Sequence, residues 1–262
     1  MEKKDLYSIW KASIQYLIKF INNWKKDKYT IFFSFYVTEI YVGTSGWSYE
    51  WNLGKSLEWY TNNSELNAIE LNMSYYRFPY PNMVKAWAKK GSDLVWIIKT
   101  HRLITHLKKL NKETYSIFER FKKIFLPLEE SIHYYLLQFP PKFTDLEKVE
   151  NFIDNCCNEK LAVEFRNTSM FTSEVISWAN KLGVLLVSID APKLPTKIMS
   201  KDIIYERIHG RTAWYSHNYK DEELLEIKER IINPKPKELY VFFNNNHVML
   251  ENAMRMYEIL RV

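Results

Sequence analysis

Cysteine occurs only twice in the 262 residues, as the neighbours Cys156 and Cys157. With no second pair to bridge to, they make neither a disulfide framework nor a zinc knuckle. A reducing, cytoplasmic setting is therefore expected. Glycine is also scarce, at six residues, while hydrophobic residues reach 47% and aromatics 16%. That balance excludes a disordered or low-complexity chain, and no internal repeat is visible. The apolar run at 31–37 is far shorter than the roughly 20 residues of a membrane span, so no membrane partner is expected. The lysine-rich stretch before it resembles the start of a signal peptide, without an apolar stretch or small-residue cleavage site to complete one. The six histidines show no H-x-x-x-H or H-E-x-x-H spacing, and a G-x-G-x-x-G phosphate fingerprint is missing. Gly43-Thr44-Ser45-Gly46 is only a short turn.

A strong charge excess is missing too, once the net +6 is mapped. Residues 1–37 hold seven lysines against Glu2, Asp5 and Asp27, a balance of +4, and the remainder carries 30 basic against 28 acidic residues. Long nucleic acid held mainly by phosphate contacts needs more positive charge than that, although a local groove remains open to it.

What is present is an alternating α/β text. Residues 6–24 place apolar side chains at helical spacing and predict an amphipathic helix. From Ile40 onward, strands are expected at 41–45, 68–72, 94–100, 134–139, 161–166, 184–190, 203–209 and 239–244. Helices are expected at 56–63, 81–89, 113–125, 145–157, 173–182, 221–232 and 247–260, with a proline-bearing loop at 191–201. Eight such units fit a single (β/α)8 TIM barrel, whose active sites gather where the strands end. An open doubly wound sheet is the alternative, since it too binds ligands at carboxyl ends.

The strand ends carry Thr44 and Ser45; Glu70 and Asn72; Lys99 and His101; Gln138; Glu164 and Arg166; Asp190; Arg207 and His209; Asn244 and Asn245. Polar chemistry at one end of every strand predicts a functional mouth. Glu164 and Arg166 lie two apart in an apolar strand, so they share a face. Alone they read equally as a structural ion pair or as part of a site, and Glu164 has Arg207 as an alternative partner.

Ordered motifs make the chain resemble a known family. They include Tyr41-Val42-Gly43-Thr44-Ser45-Gly46-Trp47, Glu70-Leu71-Asn72-Met73-Ser74-Tyr75-Tyr76-Arg77, Gln138-Phe139-Pro140-Pro141, Val163-Glu164-Phe165-Arg166, Arg207-Ile208-His209-Gly210 and Phe242-Phe243-Asn244-Asn245. The chain is similar, over about residues 40–262, to the YecE-like proteins, also called domain of unknown function seventy-two. The resemblance implies a TIM barrel of the general endonuclease-IV and xylose-isomerase shape, with no established reaction. His101 stands where the family often has proline, and Met170 where tryptophan commonly follows Glu-Phe-Arg. Asn246-His247 replaces a longer acidic loop. Because such proteins usually begin a few residues before Gly-Thr-Ser-Gly-Trp, residues 1–37 read as an amphipathic helical extension outside a 38–262 barrel. We expect a natural valine start near Val37, which N-terminal sequencing of the native protein decides.

Three carboxylates (Glu70, Glu164, Asp190) against Lys99, Arg166 and Arg207 favour pairing over a metal centre, and neither metal nor cofactor is expected. One carboxylate acid and one carboxylate base or nucleophile would suit hydrolysis. Arg166 should lower the Glu164 pKa and suit it to the base or nucleophile role, leaving Glu70, near Tyr75 and Tyr76, as the acid; His209 completes the catalytic candidates. Alternatively, Lys99, Arg166, Arg207 and His209 would clamp a phosphate, with Asn244 and Asn245 as neutral donors to the same group. Thr44, Trp47, Asn72, Gln138, Asp190 and Tyr215 complete the expected binding set. Rings after the first and seventh strands suit stacking on sugars or bases. The expectation is a hydrolase acting on a phosphorylated or nucleic-acid-derived substrate, its partner a small phosphorylated or sugar-like ligand or nucleic acid in a local groove. Carbohydrate hydrolysis or isomerisation, and a non-catalytic binding barrel, are the alternatives.

Overall fold

In a computed structural model, residues 38–156 and 160–262 are described. The amphipathic helix, the helical extension and the valine start expected within 1–37 lie outside them, as does Cys157. Eight parallel strands close into a barrel in sequence order. They are β1 Glu39–Thr44, β2 Ala68–Leu71, β3 Val95–Lys99, β4 Ile132–Gln138, β5 Leu161–Glu164, β6 Leu185–Asp190, β7 Ile203–Ile208 and β8 Glu238–Phe243. Helices α1 Leu57–Asn63, α2 Pro81–Lys90, α3 Glu113–Ile124, α4 Leu146–Cys156, α5 Ser173–Leu182, α6 Asp221–Ile232 and α7 Met249–Leu260 follow every strand except β6. The proline-bearing stretch after β6 is irregular, as its sequence predicts. The closed sheet rules out the open doubly wound alternative. No described helix is long and apolar enough to cross a membrane.

Local chemistry explains the helix ends. Thr172 accepts a hydrogen bond from the Val175 N–H at the start of α5, and Gly183 closes that helix in the left-handed conformation at φ 68°. The Ser56 hydroxyl caps α1 in the same way through the Trp59 N–H. Each helix turns an apolar stripe onto the barrel, as Phe118 and Phe121 of α3 do while fully buried.

Strand register decides which residues point into the barrel. Residues paired across parallel strands share a face, and alternate residues take the opposite face. Glu70 pairs with Ile97, and Ile97 with Tyr134. Lys99 pairs with Leu136, Gln138 with Glu164, and Arg207 with both Ile189 and Phe242. Phe242 in turn pairs with Gly43. There the interior is too narrow for a side chain, because a Cβ on Gly43 would fall 2.2 Å from the Ala68 carbonyl oxygen. The opposite end of the barrel is closed by rings: Tyr41 stacks on Tyr240, and the Tyr240 hydroxyl lies 2.7 Å from His133 Nδ1.

Candidate active site

Arg207 sits at the centre of the buried ionic cluster. Its Nε and Nη2 donate to the two oxygens of Glu70 at 2.7 and 2.6 Å, and its Nη1 donates to Glu164. Glu164 accepts also from Arg166 Nε, so both partners foreseen for it are engaged at once. Glu70 accepts further bonds from the Tyr205 hydroxyl at 2.5 Å and the Ser45 hydroxyl at 2.6 Å. Both carboxylates and Arg207 are fully buried. Burial alone would raise the two carboxyl pKa values, but Arg207 on Glu70, and Arg166 with Arg207 on Glu164, outweigh it and hold both below the usual range. Glu70 is therefore the opposite of the proton-bearing acid that its aromatic neighbours suggested. Four donors occupy its oxygens, which leaves no site for a proton.

Two guanidiniums and two carboxylates balance, and Lys99 is the remaining charge. Among the described residues no carboxylate forms a salt bridge with its amine; Nζ lies over the Tyr75 ring at 4.6 Å from the centroid. Burial, then Arg207, brings its pKa down to about 7 despite Glu70 and Glu164. His209 is fully buried, with Nε2 3.0 Å from Arg166 Nη2. Burial and then Arg166 push its pKa well below the usual value, so the imidazole is neutral and Nε2 accepts from the guanidinium. The Arg166 plane lies 4.5 Å from the Trp214 ring centroid.

Above this cluster opens a hollow of about 880 Å³ at the carboxyl ends of β1, β2, β3 and β8. Of the residues expected to bind a ligand, Lys99, Trp47, Asn72, Asn244 and Tyr215 line it. The Asn72 side-chain oxygen is buried there without a hydrogen-bond partner. Gln138 is half-buried and shares the face of Glu164. Glu70, Glu164 and Arg207 lie beneath the hollow rather than in its wall.

Three expected members are elsewhere, and all for the same reason. Thr44, Asp190 and Asn245 occupy the alternate parity and do not join the group. Thr44 pairs with Ile69, the neighbour of Glu70 on the opposite face, and its hydroxyl donates to the Gly46 carbonyl at 2.8 Å. Asp190 pairs with Ile208, on the outer face of β7. There it accepts from Tyr219 at 2.7 Å and from Arg211 and Arg230 at 3.2 Å, beside buried Glu206. The Asn245 amide donates to the His217 carbonyl and to Asn252. A polar residue at a strand end faces the barrel in only one of two registers, and the expectation had merged both.

Two partners of Glu70 went unselected, Ser45 and Tyr205. Period two would have found each: Ser45 lies two residues after interior Gly43, and Tyr205 two before Arg207. Lys55 and Arg77 at the hollow's rim carry no such signal, because loops have no fixed period.

Among the described residues, no group of three or more His, Cys, Asp or Glu side chains is placed to hold a metal ion. The cluster's donor set explains this, since guanidiniums already occupy the oxygens a cation would need.

The comparisons agree with this architecture. A DUF72 protein from Thermotoga maritima is 29% identical, covers 86% of this chain and 100% of its own, and superposes with a TM-score of 0.72. A DUF72 protein from Enterococcus faecalis, 22% identical, covers 85% of this chain and 96% of its own with a TM-score of 0.73, a likeness of fold. No curated protein matches. The family profile described as "Protein of unknown function DUF72" matches residues 41–262, all eight barrel units, and the chain belongs to that family.

Proposed function

We propose that the barrel mouth binds a phosphorylated small molecule carrying a sugar or base ring, or a nucleic-acid-derived fragment, and hydrolyses it. The observation carrying this reading is the sign of the charges in the hollow's wall. Among the described residues, Lys55, Arg77, Lys90 and Lys99 line it and no Asp or Glu does. Lys90 is ion-paired with Glu58 at 2.8 Å, whereas among the described residues no carboxylate forms a salt bridge with Lys99, whose Nζ lies over the Tyr75 ring. Phosphate oxygens match such a wall, and Trp47, Trp87 and Tyr215 supply ring faces beside it. Because Glu70 is saturated and Glu164 is held by two guanidiniums, the Lys99 amine, titrating at about 7, is the better group to take a proton from attacking water.

The test is a panel of sugar phosphates, nucleotides and short single-stranded oligonucleotides, read by calorimetric binding and by phosphate release. Micromolar binding that weakens on Arg77→Ala and at high salt, with release lost on Lys99→Met, supports the proposal. Tighter binding of unphosphorylated sugars than of their phosphates would overturn it. Binding without turnover across the panel would leave a non-catalytic barrel.

A further inference from the structure

We propose that the Lys99 amine is a carbonyl-trapping nucleophile, which adds to an aldehyde or ketone carbon of a ligand seated in the mouth and holds it as an imine. This rests on reading the mouth as a ligand site. It adds that the ligand, besides its phosphate, carries a carbonyl group within reach of β3.

Position is the first argument. Lys99 ends β3, faces the barrel interior, and is 8% exposed, with that exposure in the wall of the hollow. Among the described residues its amine has no hydrogen-bond acceptor, while every other ionic group of the cluster is engaged. Glu70 and Glu164 are bound by Arg207, Arg166, Tyr205 and Ser45, and Arg166 is bound further to His209. A lysine kept for structure would be expected to take one of those carboxylates. Instead its Nζ rests on the face of Tyr75, a seat that gives it no hydrogen-bond acceptor, while the residue lines the hollow.

The surroundings set its protonation. Glu70 faces it from β2, Tyr75 and His106 from the segments after β2 and β3, Glu164 and Arg166 from β5, and Arg207 and His209 from β7. Burial and the two guanidiniums together prevail, and the amine titrates at about 7. Desolvation beside a second cation is the established way to make a lysine nucleophilic at neutral pH.

The chemistry closes without an added reactant. The Nζ lone pair forms a C–N bond as the carbonyl electron pair moves to oxygen, and one amine proton follows it to give a carbinolamine. The C–O bond then breaks and hydroxide leaves with the second amine proton as water, giving the neutral imine. Borohydride, supplied as reductant, delivers hydride to the imine carbon, and a solvent proton completes a stable secondary amine. The protein gains the mass of the carbonyl compound less one oxygen.

The experiment uses the full chain with glyceraldehyde 3-phosphate, and separately with unphosphorylated glyceraldehyde, in the presence of borohydride, followed by peptide mass mapping. Lys99 is expected to be modified about a hundredfold faster than surface lysines at pH 7, since an ordinary lysine near 10.4 is almost wholly protonated there. The rate should rise between pH 6 and pH 8 and then level. Lys99→Arg should lose the fast phase while retaining slow surface labelling. Labelling of Lys99 no faster than of surface lysines in the wild-type chain overturns the proposal, and that result needs no variant to fold. Fast labelling of Lys99 by both aldehydes equally, undiminished by inorganic phosphate, would sustain the imine and retire the phosphate reading of the mouth.

Discussion

Replacing Glu70 by glutamine tests whether the buried carboxylates are the scaffold of the mouth or its reactive groups. Glu70 accepts from Arg207 twice, from Tyr205 and from Ser45, all inside the barrel. The amide keeps the shape but replaces one acceptor oxygen by an NH2 that faces donors, and it removes one of the two charges that neutralise Arg207. Breaking one partner out of a buried ion pair costs roughly 3–5 kcal/mol, because the remaining charge stays buried. For a domain of this size each kcal/mol lowers the melting temperature by about 2–4 °C. Glu70→Gln should therefore melt roughly 6–20 °C below wild type by circular dichroism, with a matching fall in urea midpoint. The sign with pH is also determined. Both carboxyls have folded pKa values below their ordinary one of 4.5, so their stabilisation is complete above about 4.5 and is lost as pH falls through the lower folded values. The gap between wild type and variant should accordingly narrow in acid. A variant that melts within about 2 °C of wild type at pH 7 would refute this reasoning. Loss of turnover without that loss of stability would return Glu70 to the catalytic role its sequence position suggested.

Other perturbations follow from the same cluster and from its neighbours. Lys99→Met should raise the melting temperature at pH 7. The wild-type amine is neutralised on folding at about 7 against an ordinary 10.5, so the unfolded chain binds the extra proton; the advantage should shrink as pH rises toward 10.5. Behind β7, burial raises the Glu206 carboxyl to about 7 from 4.5 despite Arg230. The folded state holds that proton more tightly, so wild type should lose stability between about pH 4.5 and 7, and Glu206→Gln should lose less across that window in urea titrations. Gly43→Ala should cost about 3 kcal/mol, the upper end of the usual overpacking range, or prevent soluble expression, because the new Cβ meets backbone rather than a yielding side chain. Unchanged urea stability would show that β1 can move away from β2.

The barrel was legible in the sequence because its evidence is local. Apolar runs such as 161–164, separated by stretches of helical period, are properties of a few consecutive residues. The end of the barrel that carries Glu70, Lys99, Glu164 and Arg207 was legible too, since strand ends are countable. Which side of the strand each residue occupies was harder to read. Thr44, Asp190 and Asn245 lie one residue from the interior-facing parity, and a shift of one reverses the face. Pairing was legible only in part: Arg166 and Arg207 were both candidates for Glu164, but nothing along the chain joined Arg207 to Glu70. Arg207 lies 137 residues from Glu70 and 43 from Glu164, and only closure of the sheet sets one guanidinium between them. The sequence by itself determined the elements, their order and the supply of charges at one rim. Tertiary structure decided that the carboxylates are consumed by Arg207 and Arg166 and that the Lys99 amine is left over, because burial and proximity across the barrel, not spacing along the chain, assign partners and set pKa.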